Sequence, residues 1–498
     1  MRVVFGAGPR AGPVKARQAA LGRAVFAVAA SILAVPALAD DLRQALLLTY
    51  ETNPTLQAAR ANQRATDEGV PIAKAAGRPS ISGSASYIEF VKKSANSFTA
   101  PDRSLDAGID LGVPIYSGGA VRNSVRGAET RVVAGQADLR GVESALFSQA
   151  VAAYMDVILG QAVVGLNRNN VRVLDVNVQA TSDRFEIGDL TRTDVAQSQS
   201  RLALAQGDLR SSESNLIGAR ERYIRVVGKV PQNLQPPPPL PGLPSSPDDA
   251  VQIALGGNPD LIAAKERSRA AGYDVRVAGS GRLPRVSLFT GGDYTDYLGT
   301  LGGGTIPAGT FVQRQTTALA GVRASIPIFQ GGLPAAQRRQ AQAREGASLE
   351  DQIAVERDVI AQVRAAYASW QAATEIIAST QTAVDAASLG LEGVRAENSV
   401  GTRTILDILN AEQELVSARV RLATARRNAY VAGFSLLAAM GKAESRDLGL
   451  EGGTFYDPQV NYRRVRNAWW DWSNDPAPIA KSTRTVDTPA QDGSIPPQ

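Results

Sequence analysis

Two stretches of this chain run for roughly 65 residues without a proline, from about Ala120 to Arg184 and from about Ala335 to Asn398. Proline is the residue that a helix interior tolerates least, so its long absence permits long helices. At 1.5 Å per residue each stretch predicts a helix on the order of 100 Å long, far beyond what a globular core of this size uses. In the second stretch Val363, Trp370, Ile377, Val384 and Leu391 recur every seven residues, with Ile360 and Tyr367 at companion positions. A sustained seven-residue repeat predicts a coiled-coil seam. Alanine and serine crowd it (Ala365, Ala366, Ala368, Ser369, Ala372, Ala373), so neighbouring helices can approach closely. A soluble antiparallel coiled-coil scaffold satisfies this feature as well.

The two stretches belong to two copies of one unit. Asn53-Pro54 matches Asn258-Pro259, and Pro79 matches Pro284, both 205 positions apart. Val113-Pro114-Ile115-Tyr116 matches Ile326-Pro327-Ile328-Phe329 at an offset of 213. Gly118-Gly119 with Gly331-Gly332, Gly188 with Gly401, and Asp194 with Asp407 keep that offset. The growth in offset predicts a longer loop in the second copy, at the Gly- and Thr-rich segment Gly299 to Gly309. Ordered self-similarity of this kind marks a duplicated structural unit. The expected division is a signal peptide over residues 1–39, a first repeat over 40–230, a proline-rich linker over 231–247, a second repeat over 248–445, and a C-terminal segment over 446–498.

Each copy predicts a helix, two strands, a long helix, a tight turn and a helix. Residues 104–116 alternate cleanly. Leu105, Ala107, Ile109, Leu111, Val113 and Ile115 interleave with Ser104, Asp106, Gly108, Asp110 and Gly112. Period two with one apolar face predicts a strand, and its length suits a barrel with lipid outside and water inside. An ordinary soluble sheet fits the same alternation. Residues 81–91, 286–297 and 314–329 are further strand candidates. Four strands cannot close a barrel, and open edges are not tolerated in lipid. Two chains would give eight strands with a filled interior. Three would give twelve with an aqueous lumen, so the expected fold is a membrane α+β protein, a trimeric 12-stranded β-barrel continued by an α-helical barrel.

Composition narrows the function. Arg2, Arg10, Lys15, Arg17 and Arg23 precede the apolar run Ala24 to Val35, and Ala37-Leu38-Ala39 offers small residues for cleavage. That is the secretory pattern, too short to span a bilayer as an anchor. Residues 1–39 hold five of the 53 basic residues and none of the 48 acidic ones, so the remainder is neutral. Nothing then points to a nucleic-acid partner. Histidine and cysteine are both absent, which removes the commonest general base, the commonest zinc ligand and every Ser-His or Cys-His arrangement. The chain is expected not to be an enzyme and to need no cofactor or metal. A secreted hydrolase built on carboxylates alone would need a catalytic pair, and none stands out.

Several motifs together resemble the TolC family of outer-membrane channels. Asn398-Ser-Val-Gly-Thr-Arg-Thr-Ile-Leu-Asp-Ile-Leu-Asn-Ala411 is similar to that family's hallmark turn, and Arg184-Phe-Glu-Ile-Gly-Asp-Leu-Thr-Arg-Thr-Asp-Val195 to its first-copy counterpart. Ile326-Pro-Ile-Phe-Gln-Gly-Gly332 resembles the strand-to-helix junction, and Asn53-Pro-Thr-Leu56 the opening helix. The resemblance runs from about residue 40 to 445. It implies a homotrimeric outer-membrane duct in contact with lipid, serving type I protein secretion or drug efflux. It also implies two partners, a periplasmic adaptor (membrane fusion protein) and an inner-membrane ABC or proton-driven pump. Without an acylation cysteine the chain resembles the unlipidated branch. A periplasmic coiled-coil adaptor or scaffold is the alternative function, although it would not need four half-apolar strands.

The turns are the expected periplasmic gate. Gly188 and Gly401 can take the left-handed conformation that stops a helix, and Thr191 or Thr404 can cap the next one. Asp407 and Asn410, three apart, share a helix face. The resemblance implies an acidic ring at Asp407, and places Asn410 where some members have a second aspartate, so cation selectivity is expected to be weaker than in those members. It implies that Arg403 links the turn to a neighbouring helix and that Asp194 is its acidic partner. Asn398 stands where the best-known member has a tyrosine. On spacing alone, Arg403 and Asp407 are equally a surface pair and Asp194 a solvated helix residue. Beyond the repeat, Tyr462-Arg-Arg-Val-Arg-Asn-Ala-Trp-Trp-Asp-Trp472 holds three of the four tryptophans. Two readings stand, a membrane-interface anchor and a segment packing outside the helical barrel. Residues 473–498 have the composition of a disordered tail.

Overall fold

A computed structural model describes residues 41–93, 100–302, 310–450 and 455–495. The expected signal peptide and most of the loop expected at 299–309 lie outside the described residues. Helices α1 (Leu42–Thr52), α2 (Pro54–Asp67) and α3 (Gly69–Ala75) lead into strands β1 (Ser80–Glu89) and β2 (Arg103–Tyr116), then α4 (Ala120–Glu186) and α5 (Arg192–Val227). The order recurs in α6 (Pro247–Gly257), α7 (Pro259–Gly279), β3 (Arg285–Asp296), β4 (Arg314–Ser325), α8 (Leu333–Ser399) and α9 (Ile405–Ala439). A short α10 (Pro458–Val465) follows. Helices α4 and α8 each have 67 residues, about 100 Å at the α-helical rise.

The residues that repeat in the sequence are the ones that start and stop helices. Asn53 accepts a hydrogen bond from the Thr55 N–H with Pro54 at the first helical position. Asn258 does the same for Asp260 and Leu261, ahead of Pro259. Proline fits there because that N–H has no helical partner to lose. Gly119 and Gly332, at φ 82° and 84°, open α4 and α8 in the left-handed region, which residues with a Cβ rarely adopt.

The four strands form one antiparallel sheet in the order β1-β2-β3-β4. Its register sorts the side chains into two faces. Ile81 lies opposite Leu111, Ala85 opposite Ala107, Val113 opposite Leu288, and Leu288 opposite Val322. The other face pairs Ser82 with Asp110, Ser86 with Asp106, Asp106 with Thr295, Asp293 with Thr317, and Ser287 with Arg323. One face is thus aliphatic and the other hydroxyl-rich and charged. The strand expected over 104–116 is β2. The one expected over 314–329 stops at Ser325, because Pro327 has no N–H to offer the ladder.

The core lies around the middle of α4 and α8, where the ends of α5, α7 and α9 pack on them. Phe147, Val151 and Tyr154 of α4, Leu216 and Tyr223 of α5, Leu261 of α7, Val363 of α8, and Phe434 and Leu437 of α9 pack in one cluster with α1 and α6. By length and composition α4 is apolar enough to cross a membrane, but its apolar middle is this core. Helix α8 is different: of its 67 residues only Val359, Val363, Ala373 and Leu391 are buried. The heptad positions Val363, Trp370, Ile377, Val384 and Leu391 are all buried or half-buried. Residues 473–495, for which composition predicts disorder, carry no helix or strand. Their far end is nonetheless held: the Arg220 guanidinium on α5 donates to the Asp492 carbonyl at 2.6 Å and the Ser494 carbonyl at 2.7 Å.

Candidate functional site

The two turns that end α4 and α8 are built alike. In the first, Gly188 at φ 83° follows the C-cap Ile187. Its N–H donates to the Phe185 carbonyl at 2.9 Å, and the Asp189 N–H reaches back to the Arg184 carbonyl at 2.9 Å. In the second, Gly401 at φ 82° donates to Asn398, and Thr402 to Glu397, at 2.9 and 3.0 Å. A left-handed glycine with a backbone bond reaching back five residues closes a helix and satisfies its orphan carbonyls. Nothing lies within 4 Å of a Cβ placed on either glycine, so backbone conformation alone requires them.

The next helices start on matched capping boxes. The Asp194 N–H donates to the Thr191 hydroxyl, and the Asp194 carboxylate accepts from the Thr191 N–H at 2.9 Å and from its hydroxyl at 2.7 Å. Thr404 and Asp407 repeat this at 3.0 and 2.8 Å. Charge is favoured on an oxygen that accepts two such bonds at a helix N-terminus. The Thr404 hydroxyl and N–H hold Asp407 below the usual aspartate range, with Arg403 adding a smaller effect. The Thr191 bonds lower Asp194 in the same way.

Within one chain Arg403 is not brought onto Asp194. Its Nε donates to Glu397 at 2.7 Å, a bond that raises its already high pKa. The Asn398 amide donates to the Arg403 carbonyl at 2.7 Å and so serves its own turn. Position 397 corresponds to 184 in the first copy, and the polarity is reversed there. Arg184 on the helix end pairs with Asp189 in the turn at 2.6 Å, whereas Glu397 on the helix end pairs with Arg403 in the turn. The spacing of Glu397 and Arg403 across Gly401 was the available sequence signal for this bond.

Just below the second turn α9 faces two ways. Ile408 packs with Leu391 and Leu415 in the α8–α9 seam. Leu409, next in sequence, packs with Leu174 of α4 and Ala205 of α5. Asn410, exposed, accepts a hydrogen bond from Arg201 Nη2 on α5 at 2.8 Å. Deeper in the seam Arg395 of α8 binds the buried carboxylate of Glu412 on α9. The turns thus bring Asp407 and Asn410 together on α9. Arg201, Glu397 and the Arg395–Glu412 clamp complete the site and were missed by sequence reasoning. Arg201 and Asn410 stand 209 positions apart, beyond any local pattern.

The charged face of the sheet extends the polar lining. Asp106 accepts from Thr295 at 2.8 Å and Ser104 at 3.0 Å. The Arg323 guanidinium lies 4.8 Å above the Phe289 ring, and that ring lies over Gly321. Aromatic residues flank the strands at both ends, Tyr87, Phe90 and Tyr294 at one and Tyr116 and Phe329 at the other, all exposed. Such girdles mark the two interfaces of a membrane barrel. Among the described residues no group of acidic side chains could hold a metal ion.

Comparison with known proteins agrees with this geometry. The family described as outer membrane efflux protein matches residues 45–229 and 250–442. The chain is 34% identical to outer membrane efflux protein BepC of Brucella suis, over 87% of this chain and 92% of that one. It is 27% identical to alkaline protease secretion protein AprF of Pseudomonas aeruginosa, over 88% and 91% respectively. The crystal structure of the Campylobacter jejuni CmeC outer membrane channel superposes with a TM-score of 0.70 at 16% identity, over 86% of this chain and 89% of that one. That last likeness is one of fold.

Proposed function

The chain belongs to the outer membrane efflux protein family, and from that premise we propose that three copies close one twelve-stranded barrel whose lumen runs on through the long helices into the periplasm. It is an outer-membrane channel that carries substrates out of the cell. The observation that carries the trimer is the sheet: two-faced, four-stranded, and unpaired along β1 and β4. Lipid does not tolerate such edges, so other copies must pair with them. The large exposed surface of α8 supports the same assembly. The paired turns then form the periplasmic entrance. Asp407 contributes a ring of three carboxylates there, and Arg403 and Asp194 are the contacts by which neighbouring turns hold one another closed. Substrate reaches this entrance from an inner-membrane pump through a periplasmic adaptor, as in secretion and efflux systems of three components. Relatives named for efflux and for protease secretion support that setting.

The absence of cysteine from the chain makes the test direct. A cysteine at Ser84 on β1 is combined with single cysteines at Gln315, Thr317, Leu319 or Arg323 on β4, and the protein is oxidised in the outer membrane. One register should yield covalent trimers on denaturing gels. Chains that remain monomeric across the scan, or that pellet with no membrane fraction, would overturn the reading.

A further inference from the structure

Three of the four tryptophans sit on the surface of one short segment. Trp469, Trp470 and Trp472 are 75%, 64% and 82% exposed, and the first two rings meet edge to face at 6.3 Å. Burial against this chain therefore does not account for them. Their placement is not loose. Helix α10 is locked to α2 by the Asn461 amide, which donates to the buried carboxylate of Asp67 at 2.7 Å. Val465 is buried as well. The chain leaving α10 is then held by α3: Lys74 Nζ donates to the Arg466 carbonyl at 2.9 Å and the Asn467 side chain at 3.0 Å, and Arg78 donates to the Ala468 carbonyl.

Arg78 is two residues ahead of Ser80, the first residue of β1. The tryptophans therefore begin one residue past a carbonyl fixed to the root of the sheet. The other three strands run past Ser80 at the same end of the sheet: Ser80 pairs with Gly112, while β2 continues to Tyr116 and Arg285 pairs with Ser325. There the chain exposes Tyr116, and Ile328 and Phe329 at 96% and 86%. The strands themselves contain no tryptophan. Indole is the side chain most at home where acyl chains give way to headgroups, because its ring is apolar and its N–H polar. Exposed Arg466, just ahead of the segment, suits phosphate, while Arg463 faces Asp457 at 3.8 Å.

We propose that Trp469, Trp470 and Trp472 seat in the glycerol and headgroup layer of the phospholipid leaflet that faces the periplasm, so that the C-terminal segment is a collar fixing the depth of the barrel. The proposal rests on the membrane-barrel reading above. The test uses the full-length trimer in phosphatidylethanolamine–phosphatidylglycerol vesicles whose acyl chains carry bromine either near the glycerol or deep in the bilayer. Trp469, Trp470 and Trp472 emission is taken as the difference between the unmodified protein and a Trp469→Phe, Trp470→Phe, Trp472→Phe variant, in which Trp370 inside the helices is the remaining emitter. Shallow bromine should remove roughly half of that emission, deep bromine less, and aqueous iodide little. Emission quenched by iodide but not bromine would place the rings in water. Emission quenched by neither would place them against another copy. Either result overturns the proposal. An Ile109→Trp substitution in the triple variant puts an indole on the aliphatic face of β2, where deep bromine must quench it. Failure of that control would refute the barrel reading itself, and the collar with it.

Discussion

Asp407 has two roles that do not compete. It closes the capping box that starts α9, and it stays charged because it does so. The hydrogen bonds from Thr404 lower its pKa, so Asp407, and the proposed ring with it, should keep its charge as pH falls through the usual aspartate range and lose it only further down. The sign for stability is the same: a depressed folded pKa gives a contribution that is full above the unfolded value and lost as pH falls through the folded one. Thr404→Ala removes the hydroxyl donor and should move the loss of cation preference to higher pH. Reversal potentials across planar bilayers at graded pH would show the displacement, and superimposable curves would refute it. Asp407→Ala should lower cation selectivity at neutral pH while trimers still form. At Gly401 the open space around a Cβ leaves only the left-handed backbone to pay for, so Gly401→Ala should cost about 1 kcal/mol. Hydrogen exchange confined to the turn would report it, and Gly401→Val should be worse.

At the scale of elements, α9 is held on one side by α8 through Ile408 and Glu412, and on the other by α4 and α5 through Leu409 and Asn410. Leu409 is 1% exposed, and Leu409→Ala should cost about 2–5 kcal/mol of local packing. Because Ile408 still binds α8, the α8–α9 pair should swing as a unit, raising single-channel conductance. Unchanged conductance in a folded trimer would show that this contact does not govern the entrance. Asn410→Asp places a carboxylate against Arg201, and the added ring should strengthen cation selectivity. The elements were legible because what defines them is local. Proline gaps, left-handed glycines and Asn-Pro caps each act within a turn or two, and the duplication displayed them twice. The β2 alternation was legible for the same reason, and the faces of β1, β3 and β4 became clear only through pairing. What sequence reasoning missed is long-range: Arg201 with Asn410, Arg395 with Glu412, and the fixing of the tryptophan segment by Lys74 and Arg78 from nearly 400 positions away. Within the chain Glu397 binds Arg403, and its expected link to a neighbouring helix belongs to the proposed contact between copies.

For the molecule as a whole, the unpaired edges of β1 and β4 have a consequence in time. The helical core of a chain is packed from its own α1, α2 and α4 to α9. One chain cannot complete its sheet. On the proposed trimer the barrel closes in an encounter between copies, whose rate should climb more steeply than in proportion to chain concentration. Refolding into detergent over a range of dilutions, with trimers counted on unheated gels, would show a lag that lengthens as the chain is diluted. Until that encounter each chain carries two bare strand edges beside an aliphatic face, the surface on which β-aggregation starts. Its passage across the periplasm is thus a race between partners of its own kind and the wrong ones, and an escort that covers β1 and β4 would decide it.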